Sequence, residues 1–520
     1  MENTEREYAR TIQTDTVRDA IGAECTVDYV LPDYIPEVRR ILRVEARAIP
    51  GGKYVDAGRA EFAGTVAHTV LYTDGDGKLS AVTVNGDYTF SCPADTKDGE
   101  VVAFADTQVE SVACRLGGPR KMSLRSTLRS RVHLLADRPL PEPECGEGAE
   151  ILRKGAACRR ILYRESDEFP LADSIPVEGV AAEELRPLLC DGFLSFREAR
   201  AGEGNVFLRG EAILRVLAVT EAGQPLSYQR RIPFEEEIDM PEASPRDAVL
   251  AFGAISSFSV NVSDTGEGNA AIDIDATANA ELLLFREEEI CPVTDLYGTL
   301  TPLHVTAVSV PLLHGIGVGG GFYTVSGSDR AGREEIGESV LDACGTVKLQ
   351  KPECENGKLI VPGEIRVKLL LTAPPEEEHD YPAVFPHEFT YSFRIATDIL
   401  CQGETDALRT DCRAEVLYLR PRIEPDGYSV DAELSLRVTA CTGEEMRLVS
   451  AVESDPTPYP EPSGDIRVLY PEDGESLFSI GKRTHTPLSL LCRENRLPSL
   501  SAEEAAAPQS LDGVGYLLIF

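Results

Sequence analysis

An internal repeat constrains this chain more than any other feature of it. Three segments align without a gap: Gly64-Thr-Val-Ala-His-Thr-Val-Leu-Tyr72, Gly210-Glu-Ala-Ile-Leu-Arg-Val-Leu-Ala218 and Gly363-Glu-Ile-Arg-Val-Lys-Leu-Leu-Leu371. From Gly64 to Gly210 is 146 residues, and from Gly210 to Gly363 is 153. A leucine stands 22 residues ahead of each glycine, at Leu42, Leu188 and Leu341. Self-similarity at a near-fixed period marks a chain built from repeated supersecondary units. Units of this size are large enough to bury a core each, whereas a thin solenoid uses about 20–45 residues per unit. The repeat therefore predicts three tandem modules with separate cores in a row, over residues 1–145, 146–298 and 299–453.

Alternation assigns the modules to β structure. Val430, Ala432, Leu434, Leu436 and Val438 fall on one face of a strand, and Asp431, Glu433, Ser435 and Arg437 on the other. That period-2 pattern predicts one buried and one wet face. Leu124 to Leu135 and Ile272 to Leu284 repeat it in the first two modules. Ala103 to Val112 also matches Ala251 to Val260, with Cys412 to Leu419 at a looser spacing in the third. Asp74-Gly-Asp-Gly77 and Glu221-Ala-Gly-Gln224 follow the first two glycine strands and predict tight hairpin reversals. Pro374-Pro375-Glu-Glu-Glu predicts a longer loop in the third. The three leucines each end a helix-compatible stretch, at Pro36 to Leu42, Glu183 to Leu188 and Glu335 to Leu341. The expected fold is thus mostly β: three antiparallel β-rich modules, each with a short helix.

The tail differs. Asp455-Pro-Thr-Pro-Tyr-Pro-Glu-Pro462 holds four prolines in eight residues, which predicts an extended spacer over residues 454–464 that lets the tail reach a partner. Residues 465–520 then read as a small separate unit. Ile466-Arg-Val-Leu-Tyr470 is a strand, Ser476 caps a first helix, Pro487 opens a second, and Tyr516-Leu-Leu-Ile-Phe520 closes as a strand.

Leu469-Tyr-Pro-Glu-Asp-Gly-Glu-Ser-Leu-Phe-Ser-Ile-Gly-Lys-Arg483 resembles the first half of a LysM domain, and Leu490-Leu-Cys-Arg-Glu-Asn-Arg-Leu497 its second helix with the usual asparagine. Gly474-Glu475-Ser476 stands where Gly-Asp-Thr is common, and the stretch from Pro498 to Val514 is longer and more acidic than usual. The upstream modules resemble SPOCS domains, the repeats of the SipL spore-morphogenesis family. Leu31-Pro-Asp-Tyr-Ile-Pro-Glu-Val-Arg-Arg-Ile-Leu-Arg-Val-Glu-Ala46 and the Gly64 strand carry that resemblance. It implies a mother-cell cytosolic scaffold at the forespore surface of spore-forming clostridia, whose LysM end binds the ATPase that lays the basement layer of the spore coat. It carries over no catalytic residue. The positions matching the LysM binding loops are Asp473, Gly474, Ser476, Leu477, Asn495 and Arg496. For Leu477 and Asn495, packing and capping are equally good readings. The chain has no tryptophan, and Tyr470 and Phe478 are the aromatic candidates for stacking a sugar, which favours a protein ligand over a glycan.

Charge and cysteine usage narrow the partners. With 87 acidic and 51 basic residues the net charge is −36, which repels nucleic acid and anionic lipid and favours a basic surface, or serves solubility alone. The 13 cysteines form no Cys-x-x-Cys pair and lack histidine neighbours at metal spacing, so neither a disulfide framework nor a zinc site is expected. Met1 to Tyr8 holds no apolar signal region, which predicts a cytosolic protein. Gly315-Ile-Gly-Val-Gly-Gly320 matches a dinucleotide fingerprint, but Phe322-Tyr-Thr-Val follows it where a helix should start, so a loop is expected there and no cofactor. His379 and His387 flank an acidic loop without a metal-binding pattern. The leading expectation is a non-enzymatic scaffold in spore coat assembly. The alternatives are a peptidoglycan-binding protein and a hydrolase with a cryptic carboxylate pair.

Overall fold

Alternating apolar and polar residues build strands along most of the chain. The computed structural model describes residues 8–56, 58–95, 101–332, 335–375, 380–401, 408–460, 466–472 and 474–519. The first stretch forms β1 (Thr11–Val30), β2 (Arg40–Asp56), β3 (Arg59–Thr73), β4 (Leu79–Pro93), β5 (Val101–Gly118) and β6 (Lys121–Pro139). They pair antiparallel as two sheets, β1-β6-β5 and β2-β3-β4. The second stretch forms β7 (Ala149–Arg153), β8 (Ala156–Glu165), β9 (Phe169–Val177), β10 (Leu185–Ala201), β11 (Asn205–Thr220), β12 (Pro225–Asp239), β13 (Ala248–Gly266), β14 (Asn269–Ile290) and β15 (Val293–Gly298). Its sheets are β10-β11-β12 and β13-β14, with β8 and β9 sharing the far side of β14. A ribbon of β7 and β15 stands apart. The third stretch forms β16 (Leu303–Arg330), β17 (Ser339–Leu349), β18 (Glu353–Glu355), β19 (Lys358–Ala373), β20 (Ala383–Leu400), β21 (Leu408–Glu424) and β22 (Gly427–Ser454). Its sheets are β16-β22-β21 and β17-β19-β20, with β18 on the end of β19.

In each stretch the two sheets face one another over a core. Phe62, Val66 and Tyr88 meet Leu128 and Val132 in the first. Leu208, Leu214 and Phe234 meet Ile272, Ala278 and Leu282 in the second. Ile365, Val367 and Phe393 meet Leu434, Leu436 and Val438 in the third. The repeated glycines lie in β3, β11 and β19, each directly across from an aromatic residue: Gly64 from Tyr88, Gly210 from Phe234, Gly363 from Phe393. A Cβ at Gly64 would sit 2.5 Å from the Tyr88 hydroxyl, and one at Gly210 or Gly363 2.6 Å from the ring of Phe234 or Phe393. The glycine is repeated because a ring occupies the space of its missing side chain.

The repeated leucines have a different task. Ile41 pairs with Tyr72 and Arg43 with Leu71, so Leu42 is the extra residue of a β-bulge. Leu188 is skipped in the same way between Pro187 and Leu189, and Leu341 between Val340 and Asp342. A bulge re-aims a side chain out of the regular alternation. Here it sends all three leucines to one place, where they pack together with Leu79, Leu370 and Val384. Leu188 and Leu341 continue onto Leu71, Leu189 and Leu217. The three stretches therefore do not stand in a row, as expected, but surround a common centre. At one end of it, Lys78 donates to the Glu221 carbonyl at 2.7 Å, and the Tyr381 hydroxyl donates to the Asp76 carbonyl.

Beside the leucines lies a buried charge network drawn from all three stretches. Arg43 meets Asp342 at 2.5 Å and Glu45 at 2.6 Å, and Arg215 meets Glu45 at 2.7 Å and Asp342 at 2.9 Å. Burial pushes the Glu45 carboxyl up, but Arg215 and Arg43 outweigh it and hold the group down at about 2. A second network joins β1 and β6 to β8 and β21. His133 Nδ1 donates to Asp15 at 3.2 Å, its Nε2 lies 3.4 Å from Asp411, and Arg159 reaches Asp15 at 2.7 Å. The Phe104 ring stacks on His133 at 4.7 Å. Burial pushes the imidazole down, but Asp15 and Asp411 overcome it and raise it to about 9.

Several sequence expectations need correction. No helix precedes Leu42, and only a 3-10 turn, Ala182–Glu184, precedes Leu188. The backbone donors there are taken elsewhere: Val38 N–H donates to the Pro119 carbonyl in the turn between β5 and β6, and Arg39 N–H to the Thr73 carbonyl of β3. The outer face of β22 is half-buried rather than wet, because Arg437 donates to Ala251 of β13 and Glu433 lies 3.5 Å from Arg197 of β10. The Gly315 to Gly320 run is strand β16, not a loop. A Cβ at Gly319 would sit 2.8 Å from Ile399 and one at Gly320 2.3 Å from the Leu436 carbonyl, so close strand contact explains those glycines. Part of the loop after Pro375 lies outside the described residues. Cys354 and Cys401 form a disulfide between β18 and the end of β20, a single bridge beside eleven free thiols. Among the described residues no helix is long and apolar enough to cross a membrane.

Two outcomes follow. Leu217 is fully buried at the common centre, so Leu217→Ala should lower the unfolding free energy by about 3 kcal/mol in urea titrations. His133 binds its proton more tightly folded than unfolded, so its contribution is complete below pH 6.5 and fades as pH rises through about 9. The melting temperature should fall across that window, and His133→Gln should flatten the fall.

Candidate protein-binding site

The tail folds as β23 (Arg467–Leu469), α1 (Leu477–Thr484), α2 (Leu488–Glu494), α3 (Ala502–Ala506) and β24 (Leu517–Ile519), with β23 and β24 antiparallel. Ser476 caps α1 by accepting from the Ser479 N–H at 3.2 Å, while the Ser479 hydroxyl accepts from the Ser476 N–H at 2.9 Å. Leu477, Phe478, Ile480, Leu488, Leu491, Cys492 and Leu517 form its core. Helix α3 was not expected. Ser501 and Glu504 form a capping box around its start, and that Ser-x-x-Glu spacing is visible in the sequence.

The predicted site residues divide. Asp473 lies outside the described residues. Ser476 is the buried cap and Leu477 is core. The Asn495 amide donates to the carbonyls of Leu491 and Leu518, and its oxygen accepts from the Leu518 N–H at 2.6 Å. It ties α2 to β24. Gly474 and Arg496 remain at the surface, in left-handed backbone conformations at φ 83° and 55°. The structure brings together a different set. Val468 in β23 and its flanking residues Ile466 and Tyr470, which alternation along an extended chain turns to one side, are exposed by 53, 59 and 70%. The ladder ends where Leu469 pairs with Leu517, and Tyr516, the residue before Leu517, is 57% exposed. The inward residues Leu469, Leu517 and Ile519 are covered by the tail's core. A sheet this small with apolar residues on both faces leaves one of them bare, and contiguous bare apolar surface marks an interaction site.

The tail is fixed to the rest of the chain. The Tyr297 hydroxyl of β15 donates to the Thr486 carbonyl at 2.9 Å, and its ring meets Phe478 edge-on at 5.2 Å. Gly481 permits this approach, since a Cβ there would sit 2.3 Å from the Tyr297 oxygen. Lys482 pairs with Asp295 at 2.6 Å, and Glu150 of β7 accepts from the Leu488 N–H at 3.1 Å. Burial, with Glu150 nearby, pushes the Tyr297 hydroxyl well above its usual value. The described part of the expected spacer is held too. Asp455 N–H donates to Pro302, Tyr459 N–H donates to Leu300, and the Tyr459 ring stacks on His485 at 3.9 Å. From Asp455 to Tyr459 the run is a strap across the junction, while residues 461–465 lie outside the described residues.

Elsewhere, His387 contacts Asp329 at 2.9 Å, while His379 and its acidic neighbours Glu376, Glu377 and Glu378 lie outside the described residues. Among the described residues no three His, Cys, Asp or Glu side chains cluster as metal ligands. No protein-family model matches the chain, and no curated protein matches it.

Tyr297→Ala should therefore free the tail. Hydrogen exchange should accelerate through α1 and α2 while β19 keeps its protection, since loosening stays local to the element that lost its packing.

Proposed function

We propose that this protein is a non-enzymatic scaffold of spore coat assembly, built from three SPOCS-like modules and a LysM-like tail. In this reading it works in the mother cell at the forespore surface, and the tail recruits the coat-basement ATPase or another coat protein. The observation that carries the reading is the bare apolar face of Ile466, Val468, Tyr470 and Tyr516 on a tail that the Tyr297 contact holds to the body. Aromatic and aliphatic side chains on a rigid support are what a protein interface uses as anchors. Support for the repeated modules comes from the like order of the sheets and the equivalent bulges at Leu42, Leu188 and Leu341. The strongly acidic chain suits a partner with a basic surface.

The test uses the full chain. Val468→Asp with Tyr516→Ser alters only exposed positions, so the melting temperature should stay within about 2 °C of the parent, as surface substitutions usually do. Tag purification from sporulating cells should then lose the coat-basement ATPase from the co-purifying proteins. If the ATPase remains, the face is not its docking site. If the parent instead pellets with purified cell wall and the variant does not, the tail is a glycan reader.

A further inference from the structure

A cavity of about 60 Å³ lies where strands of all three stretches converge beside His133. One water needs roughly 10–15 Å³ of such space, so the cavity holds a few waters or one small polyatomic ion, and excludes a nucleotide or a peptide. Its lining is cationic in a chain that is acidic overall. Arg159, Arg409, Arg413, Arg437 and His133 face it, against the carboxylates of Asp15 and Asp411.

Most of these charges are matched. Arg159 takes Asp15, His133 lies between Asp15 and Asp411, and Arg413 takes Asp106 at 3.3 Å. Two are not well matched. Arg409 stands exposed at the cavity's mouth and has no carboxylate partner among the described residues. Among carboxylates Arg437 has only Glu415, at 3.4 Å, and the Glu415 side chain is 38% exposed, so water competes for that pairing. Two buried donors also lack an acceptor: Arg437 Nε, and His133 Nε2, which lies 3.4 Å from Asp411 without completing a hydrogen bond. Buried donors are almost always satisfied, and an orphaned cationic one calls for an anion or water.

We propose that this cavity binds one small oxyanion of the phosphate class, held by Arg409, Arg437 and His133, and that the bound ion fastens the three stretches together. His133 comes from the first stretch, and Arg409 and Arg437 from the third, while Ile161 and Leu283 of the second form the apolar wall. An ion that binds only the assembled form stabilises it by mass action. The proposal is independent of the tail and of the scaffold reading.

The experiment titrates inorganic phosphate into the full-length protein at constant ionic strength, following the melting temperature and the heat of binding. The melting temperature should rise and saturate with phosphate, and an equal ionic strength of chloride should leave it in place. Arg409→Gln should melt like the parent without phosphate and bind phosphate at least about tenfold more weakly, the loss expected for one charge-assisted hydrogen bond. Arg437→Lys keeps the charge but removes Nε, and should weaken binding as well. A parent that shows no saturable response overturns the proposal. So does an Arg409→Gln protein that binds phosphate as tightly as the parent.

Discussion

The contact on which the molecule depends is the meeting of Leu42, Leu188 and Leu341 with the buried charges beside them. Burying ionised groups is costly, and a buried ion pair often contributes little net stability, yet removing one partner is strongly destabilising. Arg43 and Asp342, both almost fully buried, therefore act mainly to exclude wrong arrangements. Any registry of the three stretches that separates them leaves a charge in the core. The leucines supply the attraction, and the charges specify which surface meets which.

That division explains why one chain carries the repeat three times. Leu42, Leu188 and Leu341 are alike, but the residues after them are Arg43, Leu189 and Asp342. Two positions further on stand Glu45, Asp191 and Cys344. Five residues past the glycines stand Thr69, Arg215 and Lys368. Three identical subunits around one centre would place arginine against arginine at the first of these positions. Linked copies are free to diverge, so arginine meets aspartate there, and Arg215 is placed to meet both Glu45 and Asp342. The shared residues make the fold and the divergent ones close it.

The sequence was legible where one residue's role is local. Repeated glycines, alternating strands and the reversals at Gly77 and Gly223 are properties of short segments, and they reappear as strands and turns. It was not legible where the role depends on register. A β-bulge is defined only by the partner strand, so Leu42 reads equally well as the end of a helix. The same limit hid the common centre: the half-buried residues Arg437 and Glu433 look solvated in a period-2 pattern, because alternation separates two faces without saying whether the second is covered. In the tail the helices follow from Ser476 and Pro487. For Leu477 and Asn495 the sequence left packing or capping and contact as equal readings, since positions at a helix end serve either, and the structure places them as core and as a tie between α2 and β24.

The burial of cations also changes how the acidity should be read. Arg43, Arg159, Arg215 and Arg413 are largely withdrawn from solvent, each with its charge spent on an interior contact. The outer surface is thus relatively richer in carboxylates than the composition implies, and its field reaches about 10 Å at ordinary ionic strength. Against that field the outer face of β23 and β24 is an apolar island, held in orientation by Tyr297, Lys482 and the Tyr459 strap. In the proposed function, long-range attraction by the acidic surface would steer a basic partner, and the apolar face would supply the short-range affinity. Because the tail is already docked, binding there does not have to immobilise a swinging domain, and less of the interface energy is lost to ordering. Under the proposed scaffold function, presenting one contact in a fixed direction would gain from that arrangement, and a freely tethered tail would forgo it.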